Sequence, residues 1–343
     1  MKKVLITGGA GFIAHHLIYF LIKKTNWDIV SLDRLDYSGN LNRLNHIMHN
    51  FNQNERKRLK IVFHDLKSEI NPWIKKEIGN IDIILHLAAG SHVDRSIDYP
   101  MEFVLDNVVG TANILDFARL INEKKELERF VYFSTDEVFG PAPFGIDYKE
   151  NDRYNSTNPY SATKAGGEEL AVAYENTYGL PVYITHTMNV FGERQHPEKF
   201  IPMCIKKIRD GKSVTIHSDN TKKIPGSRHY IHAEDVSEAI YFLLTNQINN
   251  EFDYGGAKCP KFNIVGSEEL NNLELAQIIA NCQNKDLKYE MVDFHSSRPG
   301  HDLRYSLSGE KMKKLGWQPS IKLTERIKQV VEWSLNNQNW IEL

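Results

Sequence analysis

Tyr160 and Lys164 stand four residues apart in the run YSATK, a spacing that places a phenol and an ammonium on one face of a helix, one turn apart. A phenol with an ordinary pKa of about 10 is a weak base at neutral pH. A cation close to it favours the phenolate, and so favours removal of a proton from a hydroxyl. Upstream lies Phe133-Ser134-Thr135-Asp136-Glu137-Val138-Phe139-Gly140. Thr135 can hydrogen-bond a substrate hydroxyl beside Tyr160. Asp136 and Glu137 are adjacent carboxyls, and two like charges in one site push one pKa up, so that one group stays an acid while the other serves as a base. Loss of water from a carbon chain requires such a pair. Alone, YxxxK would be helix surface and Asp-Glu a solvated acidic turn; behind a dinucleotide fold, together, they read as chemistry.

That fold is signalled at the start of the chain, where Val4–Thr7 runs into Gly8-Gly9-Ala10-Gly11-Phe12-Ile13-Ala14. Gly8 permits a tight turn. Gly11 lets the backbone approach a pyrophosphate, whose charge is stabilised by the helix opening at Phe12 and Ile13. Asp33 follows about 19 residues later, at the end of a second strand, where a carboxylate accepts hydrogen bonds from an adenosine ribose. The carboxylate repels a 2′-phosphate and favours NAD over NADP, although Arg34 alongside could serve such a phosphate. Asp65 and Leu66 after the third strand, and Leu87, Ala88 and Ala89 after the fourth, complete the expected cofactor lining.

The elements that must hold these groups follow from periodicity. Strands are expected at Val4–Thr7, Ile29–Asp33, Lys60–His64, Ile81–Leu87, Phe130–Ser134 and Val182–Thr187, with helices at Phe12–Lys24, Met101–Lys124 and Tyr160–Tyr178. Strands joined by helix-length crossovers indicate a doubly wound parallel α/β sheet of the Rossmann type. Continuous apolar runs such as IDIILHLA suit strands buried on both faces. After about Gly192 the rhythm changes to short strands, charged loops and two late helices, Leu273–Cys282 and Leu323–Leu335. Residues 1–190 are therefore expected to bind NAD, and residues 191–343 mainly the substrate, with some segments returning to the first domain. Asn-rich stretches such as Asn45–Asn54 read as surface loops.

With 343 residues, 41% hydrophobic and 25% charged, the composition is that of a folded globular protein. A formal charge of −2 gives no sign of nucleic acid or an anionic membrane as partner. Three scattered cysteines match neither a zinc site nor a disulfide framework, and neither a signal peptide nor a membrane span is legible, so a cytoplasmic protein is expected. The histidines are scattered as well, and no metal is expected.

The runs TGGAGFIA, LDRLDYSGN, HLAAGSHVDRS, FSTDEVFG, YSATK, NVFGERQHPEKFIP and RPGHD occur in the order seen in dTDP-glucose 4,6-dehydratases, which the chain resembles from Lys3 to about Trp333. These enzymes belong to the extended short-chain dehydrogenase/reductase superfamily. The resemblance implies that Tyr160 takes the proton of the sugar 4-hydroxyl while hydride passes from C4 to NAD. It implies further that Glu137 removes the C5 proton, that Asp136 protonates the departing 6-hydroxyl, and that the hydride returns to C6. Ser91, Asn189, Lys199, Arg228, Asn263, Arg298 and His301 match positions that hold the sugar or its nucleotide, and a homodimer paired through the helices at 101–124 and 160–178 is implied too. The chain departs from the family at Gly90, Phe139 and Val190, and in the longer loop Ser218–Ser227, which leaves the nucleotide base, the sugar configuration and the C2 substituent open. Competing readings are a 4-epimerase or decarboxylase of the same superfamily, neither of which needs an acid at C6, and a non-catalytic dinucleotide-binding module.

Overall fold

The computed structural model describes residues 1–124, 126–248, 259–293 and 303–342. Arg298 and His301 lie outside them.

Alternation of apolar strands and helices builds the first half. In order come β1 (Lys3–Thr7), α1 (Phe12–Lys24), β2 (Asp28–Asp33), α2 (Leu41–Met48), α3 (Gln53–Arg56), β3 (Leu59–Phe63), α4 (Pro72–Ile78) and β4 (Ile83–His86). Then follow α5 (Val93–Asp98), α6 (Pro100–Val104), a π turn (Leu105–Val109), α7 (Gly110–Asn122), β5 (Arg129–Thr135), α8 (Pro159–Tyr178) and β6 (Val182–Thr187). The second half contributes β7 (Val190–Phe191), α9 (Phe200–Arg209), β8 (Val214–Ser218), β9 (Ser227–His229), β10 (Ile231–His232), α10 (Ala233–Thr245) and β11 (Lys261–Ile264). It ends with β12 (Glu269–Asn271), α11 (Asn272–Cys282), β13 (Tyr289–Asp293), α12 (Glu310–Leu315) and α13 (Leu323–Asn336).

The main sheet has seven parallel strands in the order β11-β6-β5-β4-β1-β2-β3. Its strand order reverses between β1 and β4, so a crevice opens at their carboxyl ends, where Thr7 pairs in register with His86. Successive side chains of β1 go to opposite faces. Val4 and Ile6 join Leu17, Leu21, Val236 and Ile240 of α1 and α10; Leu5 joins Ile84, Phe130, Ile114 and Leu115 on the other side. Sandwiched between the sheet and α10, α1 is buried nearly all round up to its terminal lysines, which its largely apolar sequence requires. A third core, from Phe191 and Cys204 through Leu275 to Val331 and Ile341, holds α9, α11 and α13 together. Among the described residues no helix is long and apolar enough to cross a membrane.

Three expectations about elements need correction. The Asn-rich loop begins inside α2, which Asn40 caps and which buries Leu44 and Ile47; Asn52 caps α3 in turn. Met101–Lys124 is not one helix but α6, a π turn and α7. The second half also has more than two helices, since α9, α10 and α12 are formed as well.

Candidate active site

The glycine turn leaves β1 with Gly8 at φ +67°, a left-handed conformation suited to glycine. A Cβ there would stand 2.9 Å from the backbone of Ala88, and one on Gly11 would stand 2.8 Å from the Gly8 carbonyl. Side chains at either position would fill the cradle. Gly11 caps α1 without a side-chain bond, so the first-turn amides, including those of Phe12 and Ile13, face outward as an anion site. Asp33 is buried beside the turn. Its carboxylate accepts from Ala10 N at 3.0 Å and from Leu35 N at 2.8 Å, which orients it and leaves lone pairs for a ribose. Asp65 is half-buried and turns its carboxylate onto Lys67 N, while Leu66 packs into the core below α7. Leu87, Ala88 and Ala89 form the facing wall after β4, with Ala88 N held by Thr7 Oγ1 at 3.1 Å. These groups fit a dinucleotide.

The acidic turn leaves the carboxyl end of β5 as a single 3-10 turn, Asp136–Phe139. The Thr135 hydroxyl lies 3.0 Å from Asp136 Oδ1 and also reaches the Tyr160 phenol. Asp136 is buried, and its Oδ2 has no hydrogen-bond partner. Asn158 Nδ2 donates to Glu137 Oε2 at 3.1 Å. Removal from water raises both carboxyls, and the charge of Asp136 raises Glu137 further. Arg228 from β9 pulls both back down, and Lys199, just before α9, acts on Glu137. Thr135, Asp136, Glu137, Tyr160, Lys199 and Arg228 thus converge on one site.

Helix α8 presents Tyr160 and Lys164 because Asn158 caps it and Pro159 occupies its first position, where a missing N–H costs nothing. The expectation for the tyrosine is corrected here. Burial, then the charges of Glu137 and Asp136, push its phenol up rather than down. Lys164 points behind it, donating to Phe133 O at 2.6 Å and lying over the Tyr132 ring; burial lowers its ammonium to about 7 despite nearby Glu168. A proton on Asp136 removes one of the two charges that oppose the phenolate, while the Thr135 hydroxyl favours it.

Other expected residues separate. Ser91 is exposed in the loop after β4, and Asn189 lies half-buried at φ +28° between β6 and β7. Asn263 is a correction: it is fully buried on β11, its amide spent on Tyr148 O, Ser308 O and His186 Nδ1, so it has nothing to offer a substrate. Arg34, which could have served a 2′-phosphate, is bound by carboxylates. His15 and His16 are both buried, with rings 4.2 Å apart. Asn158 was not anticipated, although Asn-Pro directly before YSATK is a helix-start signal that could have revealed it.

A family model described as GDP-mannose 4,6 dehydratase matches residues 5–330. A dTDP-glucose 4,6-dehydratase of Escherichia coli is 33% identical, covering 99% of this chain and 94% of its own length. A trifunctional protein of Arabidopsis thaliana that includes UDP-glucose 4,6-dehydratase is 36% identical over 99% of this chain and 48% of its own. The crystal structure of a dTDP-glucose 4,6-dehydratase from Streptomyces venezuelae with NAD bound superposes with a TM-score of 0.85 at 33% identity, covering 99% of both chains.

Proposed function

This chain belongs to the GDP-mannose 4,6-dehydratase family, and from that premise we infer its reaction and the residues that run it. The protein is an NAD-dependent nucleotide-sugar 4,6-dehydratase, which converts a nucleoside-diphosphate hexose to the 4-keto-6-deoxy sugar and water. The observation that carries the reading is the carboxyl pair with one buried, unpartnered oxygen beside the phenol, because an epimerase has no use for an acid at C6.

NAD, held at the glycine turn, would supply the hydride acceptor for C4 and the hydride donor for C6. Tyr160 takes the O4 proton, with Thr135 holding that hydroxyl in line. The 4-ketone acidifies C5–H, and Glu137, its carboxylate favoured by the Asn158 donor, removes that proton. Asp136, whose unpartnered Oδ2 suits a protonated acid, delivers its proton to the 6-hydroxyl as water leaves. Glu137 then gives its proton back to C5, and the proton taken by Tyr160 replaces the one Asp136 lost. The two carboxyls titrate as a unit, so the donors around them assign the roles. Lys164 holds the back of the site through Phe133 O.

Residues 1–190 carry NAD through Gly8, Gly11, Phe12, Ile13, Asp33, Asp65, Leu66, Leu87, Ala88 and Ala89. Residues 191–343 carry most of the nucleotide sugar, with Arg228 and Lys199 on the diphosphate, where paired guanidinium donors fit best. Ser91 and Asn189 are further candidates for the sugar, as are Arg298 and His301, which lie outside the described residues. A homodimer is supported by exposed Ile97, Tyr99, Met101 and Leu105 around the α5–α7 face, and light scattering tests it. A cytoplasmic setting is supported by Cys204, Cys259 and Cys282, which are unpaired.

The test is incubation with dTDP-, UDP-, GDP- and CDP-hexoses, read by mass. Loss of one water from at least one of them, with an alkali-induced near-ultraviolet chromophore, is the expected result. Epimerised sugar without that loss would overturn the reading.

A further inference from the structure

Arg34 follows the ribose-facing Asp33 directly, the place from which an arginine can reach a 2′-phosphate. A guanidinium offers five N–H donors on three nitrogens. Here every nitrogen already faces a carboxylate. Nε donates to Asp36 at 2.8 Å, and Nη2 to Asp36 as well. Asp106 takes Nη1 at 2.5 Å and Nη2 at 2.8 Å in a two-pronged grip, and Asp65 takes Nη1 at 3.4 Å. Lys67, the neighbouring cation, also lies on Asp106, at 3.3 Å.

Asp106 is the least exposed of these three acids, at 11% against 43% for Asp36 and 44% for Asp65. Its position comes from the π turn at Leu105–Val109, a local widening of the helix that often marks a functional site. The next residue, Asn107, fixes that turn to the cofactor wall: its side chain accepts from Gly90 N at 2.8 Å and donates to Gly90 O at 3.1 Å. A Cβ on Gly90 would lie 3.0 Å from the Phe103 ring and 3.4 Å from Asp106 Oδ2. Glycine at 90, one of the chain's departures from the family pattern, therefore leaves the space in which Phe103 and Asp106 sit.

We propose that Asp106 is a cofactor-specificity residue: by gripping the Arg34 guanidinium it withholds that cation from a 2′-phosphate, and it thereby enforces the choice of NAD over NADP together with Asp33. Charge supports the same outcome. Asp33, Asp36, Asp65, Glu102 and Asp106 outnumber Arg34, Lys67 and Arg95 around this edge, so an incoming phosphate dianion meets net negative charge and finds the Arg34 guanidinium already held. The proposal rests on the NAD reading above and not on the sugar chemistry.

The full-length protein, stripped of nucleotide and without any sugar, is titrated with NADH and with NADPH, following nicotinamide fluorescence. Wild type should prefer NADH strongly. Asp106→Asn, which keeps the shape and removes the charge, should tighten NADPH binding about ten- to a hundredfold, the worth of one or two charge-assisted hydrogen bonds, with little change for NADH. Asp36→Asn, in a more exposed position, should shift the ratio in the same direction, and it serves if Asp106→Asn does not fold. Adding Arg34→Leu to Asp106→Asn should erase the gain. The proposal is overturned if the folded variants keep the wild-type NADPH-to-NADH ratio, or if the gain survives without Arg34. Because no sugar nucleotide is present, a failure of the dehydratase reading leaves this result untouched.

Discussion

Asp136 and Glu168 are both buried, one facing the Tyr160–Lys164 helix and the other on it, yet their surroundings drive them in opposite directions. Removal from water pushes Asp136 up to about 6, and the Thr135 hydroxyl, the charge of Arg228 and the backbone amides of the turn oppose it without overcoming it. Burial acts on Glu168 in the same sense but is overcome by His186 at 3.1 Å, Lys261 at 2.9 Å and the Tyr154 hydroxyl, which hold it well below the ordinary carboxylate range. Depth alone does not decide what a buried acid does; its partners do. The underpaired carboxyl is free to trade a proton, whereas the saturated one clamps α8 to β6 and β11. The two regions touch through Phe139, which closes the acidic turn and packs edge-on against His186 and Tyr154. A rigid, fully paired cluster thus backs a turn whose acids are left reactive.

The sharpest break of this contrast is at the reactive end. Tyr160→Phe and Asp136→Asn should each lower turnover by about 10²–10⁴-fold, the usual worth of a positioned acid or base. Asp136→Asn should spare the first half-reaction, so that NADH absorbance appears on mixing with the nucleotide hexose while water elimination stalls; undiminished elimination would remove Asp136 from the acid role. The same change should leave the protein as stable as before, or more so, by up to about 3 kcal/mol at neutral pH, since it removes a carboxyl held above its ordinary pKa.

Next in size, Glu168→Gln should cost about 3–5 kcal/mol of unfolding free energy, because it strands Lys261 and the rest of a buried network. Denaturant melts measure it, and a loss below about 1 kcal/mol would contradict the clamp.

The two acids should also separate by pH. Asp136 binds its proton more tightly folded than unfolded, so its contribution falls as pH rises from about 3.8 to about 6. Glu168 binds its proton less tightly folded, so its contribution is present above about 4.5 and is lost as pH falls below that value. Subtracting the melts of each variant from wild type across this range should give slopes of opposite sign.

The smallest effect is expected at Asn158, which caps α8 and donates to Glu137. Asn158→Ala should lower stability by about 1 kcal/mol, and it should shift the pH profile of turnover upward on its acid limb as Glu137 loses a donor that favours its charge.

Much of this was readable in the chain before any coordinates. The β1, β2, β5 and β6 strands are rich in β-branched, aromatic and other apolar residues, and their ends fall within a residue or so of expectation. The glycine turn, the acids after β5 and the YxxxK helix sit where ligands gather in such sheets. What escaped has physical causes. In α2, asparagines lower helix propensity and mask the Leu41, Leu44 and Ile47 stripe. α10 starts from His232, whose ring accepts from Glu234 N, and a histidine cap is not a usual start signal. Asn263 was misread because nothing local in FNIV tells a buried structural amide from one that faces a ligand; only its partners from 148, 186 and 308 settle that. The opposite fates of Asp136 and Glu168 were out of reach for the same reason, since Tyr154, His186 and Lys261 are remote in sequence from Glu168.

The seventh strand has a consequence for how the protein is made. β6 ends at Thr187 but pairs with β11, which begins at Lys261, so about 75 residues must leave the ribosome before that border is covered. Until then a strand destined for burial along its whole length offers its open hydrogen-bonding edge to any neighbour, which is a recipe for aggregation. Biogenesis of this enzyme therefore has a vulnerable window that closes only late in synthesis. Truncations ending between β6 and β11 should be poorly soluble for that reason.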